Sequence, residues 1–189
     1  IIHENEYHLI KNAMERHFDN TEVEALYFNF YHFYGIPNQV GIAGYRQAPR
    51  IIRNSLRTIA PDGLFWVVLD NNKRGRYPNA MYAGGNIYHY GHCRSTLKMA
   101  EKLKQIGKYW NSDHQPFEGY GNIDLAELRP FRGTHPAVMK QWLESEAEST
   151  FSQSPHFKPT LRDLRNRARF TIEKMFILEV SKKHFKALD

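Results

Sequence analysis

Apolar positions along this chain change their spacing several times, and each change marks an element. Tyr7, Ile10, Met14 and Phe18 recur at steps of three and four. That predicts a helix over residues 6–18, with Asn5 as its cap and those four side chains on the buried face. Residues 22–34 are dense in aromatic and β-favouring side chains and predict a long strand. Leu26, Phe28 and Phe30 alternate there with Ala25, Tyr27 and Tyr31. Both faces are therefore apolar, as expected of a central strand covered on both sides. Gly35-Ile-Pro-Asn38 ends it. Residues 41–50 read as polar loop, 50–54 as a short strand, Ala60-Pro-Asp-Gly63 as a turn, 64–69 as a buried strand and 70–75 as an irregular loop.

Asn86 to His92 is an aromatic strand that ends beside Gly91 and runs at once into a lysine-rich helix. Ser95 or Thr96 caps that helix, which would turn Leu97, Ala100, Leu103, Ile106 and Trp110 inward and Lys98, Lys102 and Lys108 outward. Residues 111–133 read as irregular. Thr134-His-Pro136 starts a further helix with Val138, Trp142 and Leu143 facing in. After a loop over 152–159, Thr160 caps a longer helix. Leu161, Leu164, Ala168, Ile172 and Met175 lie on one face of it, and Arg162, Arg165 and Arg169 on another. Helices interspersed with strands predict an α/β fold, a mixed sheet with helices packed on it.

Composition narrows the class. At 189 residues the chain is long enough for a sizeable core, and one cysteine, Cys93, excludes an internal disulfide framework. No apolar run approaches the ~20 residues of a membrane-spanning helix. Lys+Arg 26 against Asp+Glu 20 gives a net charge of +6, which suits anionic partners: nucleic acid, sugar nucleotides or an acidic membrane surface. Phosphate-cradling glycine loops, nucleophile elbows and zincin motifs are missing from the sequence.

The chemistry-bearing stretch is Asn86-Ile-Tyr-His-Tyr-Gly-His-Cys-Arg-Ser95. Two imidazoles, a guanidinium and a hydroxyl stand where a strand stops, the usual place for a ligand in α/β proteins. His89 and His92 lack a nearby carboxylate. They suit one ligand to a divalent ion or a diphosphate better than a closed zinc site; packing under the next helix is the plain alternative. Arg46, Arg50 and Arg53 surround a short strand, and guanidinium forks match phosphate oxygens.

The order of short motifs resembles the C-terminal, acceptor-side half of bacterial family 2-type glycosyltransferases. The pieces are His3-Glu4, then His32-Phe-Tyr-Gly35, Tyr45-Arg46 and Pro49-Arg-Ile-Ile-Arg-Asn54. Ile87-Tyr-His-Tyr-Gly91 with Arg94 and Phe131-Arg-Gly-Thr-His-Pro136 with Val138-Met139 follow. The resemblance covers about residues 1–142. It implies a partial GT-A (Rossmann-like) fold lacking the nucleotide-binding half, so that the chain reads as a piece of a longer one. It divides the chain into residues 1–150, the acceptor-side half, and 151–189, a basic amphipathic helix packed on it.

The implied reaction is inverting, metal-assisted transfer of a sugar from a nucleotide donor to a polysaccharide, glycan or lipid-linked acceptor. The isolated residues are expected to be inactive. The resemblance places His89, with His92 as second choice, at a Mn²⁺ or Mg²⁺ ion, and Arg50, Arg53, Arg46 and Arg94 at the diphosphate. No carboxylate occupies the segment where the family's base is sought, which leaves Glu4 and Asp70 as weak candidates. A cytoplasmic protein, with peripheral association at the inner membrane face, is the expected setting. The rival expectation is a basic, aromatic-rich domain for RNA or single-stranded DNA. It is disfavoured because the rings of 25–34 and 64–69 read as core.

Overall fold

In the computed structural model, which describes residues 1–61, 63–110 and 117–188, the elements run α1 (Tyr7–His17), β1 (Ala25–Tyr34), β2 (Ile36–Gly41), β3 (Gln47–Ile52), β4 (Thr58–Ile59), β5 (Val67–Leu69) and β6 (Gly75–Arg76). They continue with β7 (Asn79–His92), α2 (Thr96–Trp110), β8 (Leu128–Pro130), α3 (Lys140–Glu146), α4 (Leu161–Phe176) and β9 (Lys186–Ala187). The fold is mixed α/β, and its main sheet is mixed, with antiparallel β1–β2 and β1–β3 pairs and a parallel β7–β9 pair. No helix among the described residues is long and apolar enough to cross a membrane.

Contacts divide the chain into two compact units that interleave in sequence. One is Ile1–Tyr31, Gly44–Tyr88 and Ser181–Asp189; the other is His32–Ala43 and His89–Val180. Strands β1 and β7 contribute to both.

In the first unit the sheet order is β3-β1-β7-β9. Leu26, Phe28 and Phe30 of β1 pack with Ile10 and Ala13 of α1. On the other face Ala25, Tyr27 and Phe185 close together, with the Tyr27 and Phe185 rings stacked at 4.4 Å. This end of β1 is thus apolar on both faces, as the alternation required. Two expectations fail here. The buried face of α1 is Ile10 and Ala13, while Tyr7, Met14 and Phe18 are exposed. Residues 64–69 supply only the short β5, in a small β4-β5-β6 sheet, with Val68 buried and Leu64 exposed. The turn at Asp62 and the inward side chain of Trp110 lie outside the described residues.

Two charged side chains fasten this unit. Glu24 is buried and takes both guanidinium nitrogens of Arg76, at 2.6 and 2.5 Å, together with the Asn79 N–H at 2.8 Å. Arg53 donates Nε to the Val23 carbonyl at 2.6 Å, and Nη2 to the carbonyls of His17 and Asn20 at 2.6 and 2.8 Å. It therefore closes the C-terminal end of α1, where carbonyls lack helical partners and the helix dipole favours a cation.

The second unit holds the order β8-β2-β1-β7. Gly35, at φ +69°, turns β1 into β2; a Cβ there would press on Tyr120 and Phe151 at 3.3 and 3.4 Å. Phe33 is fully buried, stacked on Tyr90 at 4.6 Å and edge-on to Phe131 at 4.9 Å. Tyr90 Oη and His135 Nδ1 share a hydrogen bond of 2.8 Å. Met99 is the fully buried residue of α2, whereas Leu97, expected inside, is 79% exposed. Met139 likewise is buried where Val138 was expected.

A reciprocal Thr160–Asp163 capping box starts α4. The helix attaches through Phe170, which is buried, through the Arg167–Asp124 pair at 2.6 and 3.1 Å, and through Asn166 on Glu127. The face carrying Leu161, Leu164, Ile172 and Met175 is turned outward. Polar contacts, rather than the most apolar stripe, decide which side of this helix meets its unit.

Arg53→Ala should lower stability by about 2 kcal/mol, because it removes three guanidinium hydrogen bonds and leaves the Val23 carbonyl without its side-chain donor. Thermal unfolding reads this, and Arg53→Lys, lacking the fork, should recover only part. Glu24 has its carboxyl held below the usual value of 4.5, chiefly by the hydrogen-bonded Arg76 guanidinium. Its contribution is full above that unfolded value and is lost as pH falls through the lower folded one. Glu24→Gln should destabilise the protein near neutrality and remove this part of the acid sensitivity in unfolding curves taken across pH.

Candidate anion site at the end of β7

In the second unit the last turns of β1 and β7 place His32 and His89 side by side. Their Nδ1 atoms are 3.1 Å apart and the rings meet edge-on at 5.1 Å. One ring must carry its proton on Nδ1 and the other must leave Nδ1 bare, so the pair cannot both be imidazolium. Gly91 makes the arrangement possible: a Cβ there would lie 2.5 Å from His89 Cε1 and 2.8 Å from Nε2. His92 follows, its ring parallel to that of Tyr34 at 6.2 Å, with its carbonyl accepting the Gly35 N–H at 2.7 Å.

Cations gather around these imidazoles. Lys102, one turn and a half into α2, donates to the Gly91 carbonyl at 2.6 Å. Arg94 lays its guanidinium 5.8 Å from the Trp142 ring, and its buried Nε has no hydrogen-bond partner among the described residues. None of Arg94, Lys102, His89 and His92 is hydrogen-bonded to a carboxylate there. The electrostatics follow. Burial first, then the neighbouring His32, His92 and Lys102, push the His89 imidazole down from 6.5 to about 4. Burial, with Lys102 and His32, lowers His92. Burial and the Arg94 charge lower Lys102. Each of these three groups resists a further proton, because burial and neighbouring positive charge disfavour its charged form. Cys93, fully buried, has its thiol pushed up to about 12 by burial and is no nucleophile.

Tyr120 separates this cluster from a second feature. Its hydroxyl takes the Arg94 N–H at 3.3 Å and its ring meets Tyr34 edge-on at 5.2 Å. Beyond it lies a polar cavity of about 500 Å³, lined among others by Thr96, Glu118, Tyr120, Asn122, Glu148 and Phe151. Glu148 Oε1 takes the Thr96 N–H at 2.6 Å and its hydroxyl at 2.8 Å, completing the N-terminus of α2.

The structure brings together His89, His92 and Arg94 from the sequence-derived set. The others belong to the first unit. Arg50 is tied to the carbonyls of Pro49 and Leu64 at 2.9 and 2.6 Å and lies 4.9 Å over Phe30. Arg53 caps α1, as above. Arg46 precedes β3, with its carbonyl on the Phe30 N–H. Asp70 Oδ1 accepts the N–H groups of Asn72 and Arg74, both at 2.8 Å, and so shapes the turn into β6. Glu4 stands at the chain's first helical turn, 3.6 Å from His3 Nδ1.

Sequence reasoning missed Lys102, Glu148 and the pairing of His32 with His89. Nothing in the sequence separates Lys102 from Lys98 or Lys108. The histidine pair did leave a trace, since each strand carries a histidine followed by aromatic residues and a glycine, His32-Phe-Tyr-Gly35 and His89-Tyr-Gly91. As for a metal, no group of three or more His, Cys, Asp or Glu among the described residues could hold one. The chain's own offer is a neutral imidazole, the form a metal requires, and not a complete ligand set.

Protonation of His89 opposes folding, because its folded value lies below 6.5; stability therefore falls as pH drops below 6.5 and the loss levels off below about 4. NMR titration of the imidazole C–H signals should show a His89 midpoint about 4, rising when Lys102→Met removes a neighbouring charge. A midpoint close to 6.5 would contradict the buried cationic setting. No protein-family model, curated protein or solved structure matches this sequence.

Proposed function

We propose that this chain is the acceptor-side half of an inverting glycosyltransferase of GT-A type, and that the site at the end of β7 holds the diphosphate of a nucleotide-sugar donor. The observation that carries this reading is a group of cations and neutral imidazoles at a strand end, none hydrogen-bonded to a carboxylate among the described residues, with His89, Arg94 and Lys102 partly buried and His92 exposed. Arg94, with its unpartnered Nε, is the principal anion ligand. Lys102 adds a second charge, with its ammonium held below its ordinary value by burial and the Arg94 charge. As the acceptor hydroxyl oxygen bonds to the anomeric carbon, the bond from that carbon to the diphosphate oxygen breaks. The released diphosphate gains charge, which Arg94 and Lys102 stabilise where burial has weakened competition from water.

The part left to Mn²⁺ or Mg²⁺ is small on this chain's side. His89, or His92 in its place, would offer one imidazole to an ion held mainly by phosphate oxygens. The polar cavity beyond Tyr120 suits a polyhydroxyl acceptor, because it combines aromatic walls with amide, hydroxyl and carboxylate groups. Glu148 joins Glu4 and Asp70 as a candidate to take the acceptor proton. Its Oε2 receives no hydrogen bond from the described residues, and it lines the cavity next to the anion site.

Calorimetric titration with pyrophosphate and with nucleoside diphosphates, each with and without Mn²⁺, tests the assignment. Arg94→Ala and Lys102→Ala should each weaken binding by about tenfold, or about 1.4 kcal/mol. His89→Ala should remove only the Mn²⁺-dependent part. Binding that ignores the Arg94 and Lys102 substitutions would overturn the site. A single-stranded oligonucleotide that binds more tightly than any diphosphate, with a steep salt dependence, would favour the nucleic-acid reading instead.

A further inference from the structure

Helix α4 presents an outward face with nothing on it. Leu161, Leu164, Ala168, Ile172 and Met175 follow one another at steps of three and four, so they share one side. Leu161 is 75% exposed, Met175 70% and Phe176 64%. The strip does not stop with the helix. Ile177 is 94% exposed, and Leu178 and Val180 are each more than half exposed. A continuous apolar surface of this length is uncommon on a protein that keeps it in water.

Ile177 adds a second, independent sign. Its backbone is left-handed, at φ 53° and ψ 40°. It ends α4 in the position where glycine is normally found, with the N–H groups of Ile177 and Leu178 both directed to the Glu173 carbonyl. A β-branched residue is strained there, and glycine would relieve it. The chain nevertheless places a large apolar side chain at this corner and points it into solvent. Neither folding of the unit nor helix termination asks for it.

The borders of the strip along α4 carry cations, and one exposed carboxylate, Glu179, stands between Leu178 and Val180 beyond the helix. Arg162 and Arg165 are exposed along one side of the strip and Lys174 on the other, while Lys158 stands just before the capping box. Arg167, by contrast, is occupied with Asp124. An apolar strip between cations that have no ion pair among the described residues opposes a second copy of itself, whose arginines would be brought against these. It complements a surface that is apolar below and negatively charged above.

We propose that the outward face of α4, continued through Ile177 to Val180, docks the protein on an anionic lipid bilayer. The helix lies in the plane of the interface, as its length and charged borders suit it to do. Leu164, Ile172, Met175 and Ile177 enter the acyl boundary, and Arg162, Arg165 and Lys174 meet the headgroup phosphates. The buried face of α4 stays on its own unit throughout, so docking needs no unfolding. This surface is separate from the anion site, and its failure would leave the diphosphate assignment standing.

The test is sedimentation with phosphatidylglycerol-containing phosphatidylcholine vesicles and with pure phosphatidylcholine vesicles. The unaltered protein should bind the anionic vesicles and leave the zwitterionic ones. Ile172→Glu with Met175→Glu should abolish binding, and Arg162→Gln with Arg165→Gln should weaken it by about tenfold. All four positions are exposed, so unfolding midpoints should hold; should one move, the salt dependence of the unaltered protein gives the same answer. Absence of vesicle binding overturns the proposal, as does equal binding to both lipid compositions. A dimer in solution that the Ile172 and Met175 substitutions dissolve, without any vesicle binding, would assign this face to a second copy and also overturn it.

Discussion

The register of β1 against β7 governs the candidate site. Phe33 stacks on Tyr90 at 4.6 Å in the aromatic core of the second unit. Side chains alternate along a strand, so fixing these two rings on one face sends their neighbours, His32 and His89, to the other. A slip of one residue in either strand would exchange core rings for imidazoles and lose both features together. The candidate site is thus a by-product of core packing in the strict sense, because the contact that excludes water on one side positions the two imidazoles on the other. Gly91 is the local condition for it, since the His89 ring occupies the volume a Cβ would take.

Charge placement explains why this site differs from the ion pairs elsewhere in the chain. Glu24 with Arg76 and Asp124 with Arg167 are matched pairs, and in both the carboxyl is lowered and the guanidinium raised by its partner. Such pairs fasten elements. Around His89 the basic groups shift the other way: His89 and His92 are lowered chiefly by burial and then by neighbouring imidazoles and Lys102, and Lys102 by burial and the Arg94 charge. A folded protein tolerates unmatched, half-buried positive charge at a cost, and an anionic ligand is the direct way to offset it. Three arginines of the sequence-derived set differ in this respect. Arg53 is engaged by three carbonyls and Arg50 by two, whereas the buried Nε of Arg94 has no hydrogen-bond partner among the described residues.

The two outward apolar surfaces, on α1 and on α4, show where amphipathicity alone misleads. In each helix the most regular apolar stripe was expected inside, and in each the structure buries another side. For α1, Ala13 and Ile10 pack with Leu26, Phe28 and Phe30 in one core cluster. For α4, Phe170 and the Arg167–Asp124 and Asn166–Glu127 contacts hold the inner side. Periodicity reveals that a helix has an apolar face. It does not say whether that face meets the same chain or something else.

The sequence by itself marked α1, β1, the end of β7, α2 and α4, because strand and helix periods and the Thr160 cap are local properties of neighbouring residues; the short strands β2, β4, β6, β8 and β9, which exist only through their pairing, were not legible in it. The end of β7 stood out because histidine, glycine and arginine lie within a few positions there. Only the tertiary structure decided that His89 meets His32, a contact across 57 residues, that Lys102 rather than Lys98 joins them, and that Glu148 reaches back to the start of α2. Those pairings depend on strand register and on which helix face is buried. Both are settled by the packing of distant side chains, which no local pattern encodes.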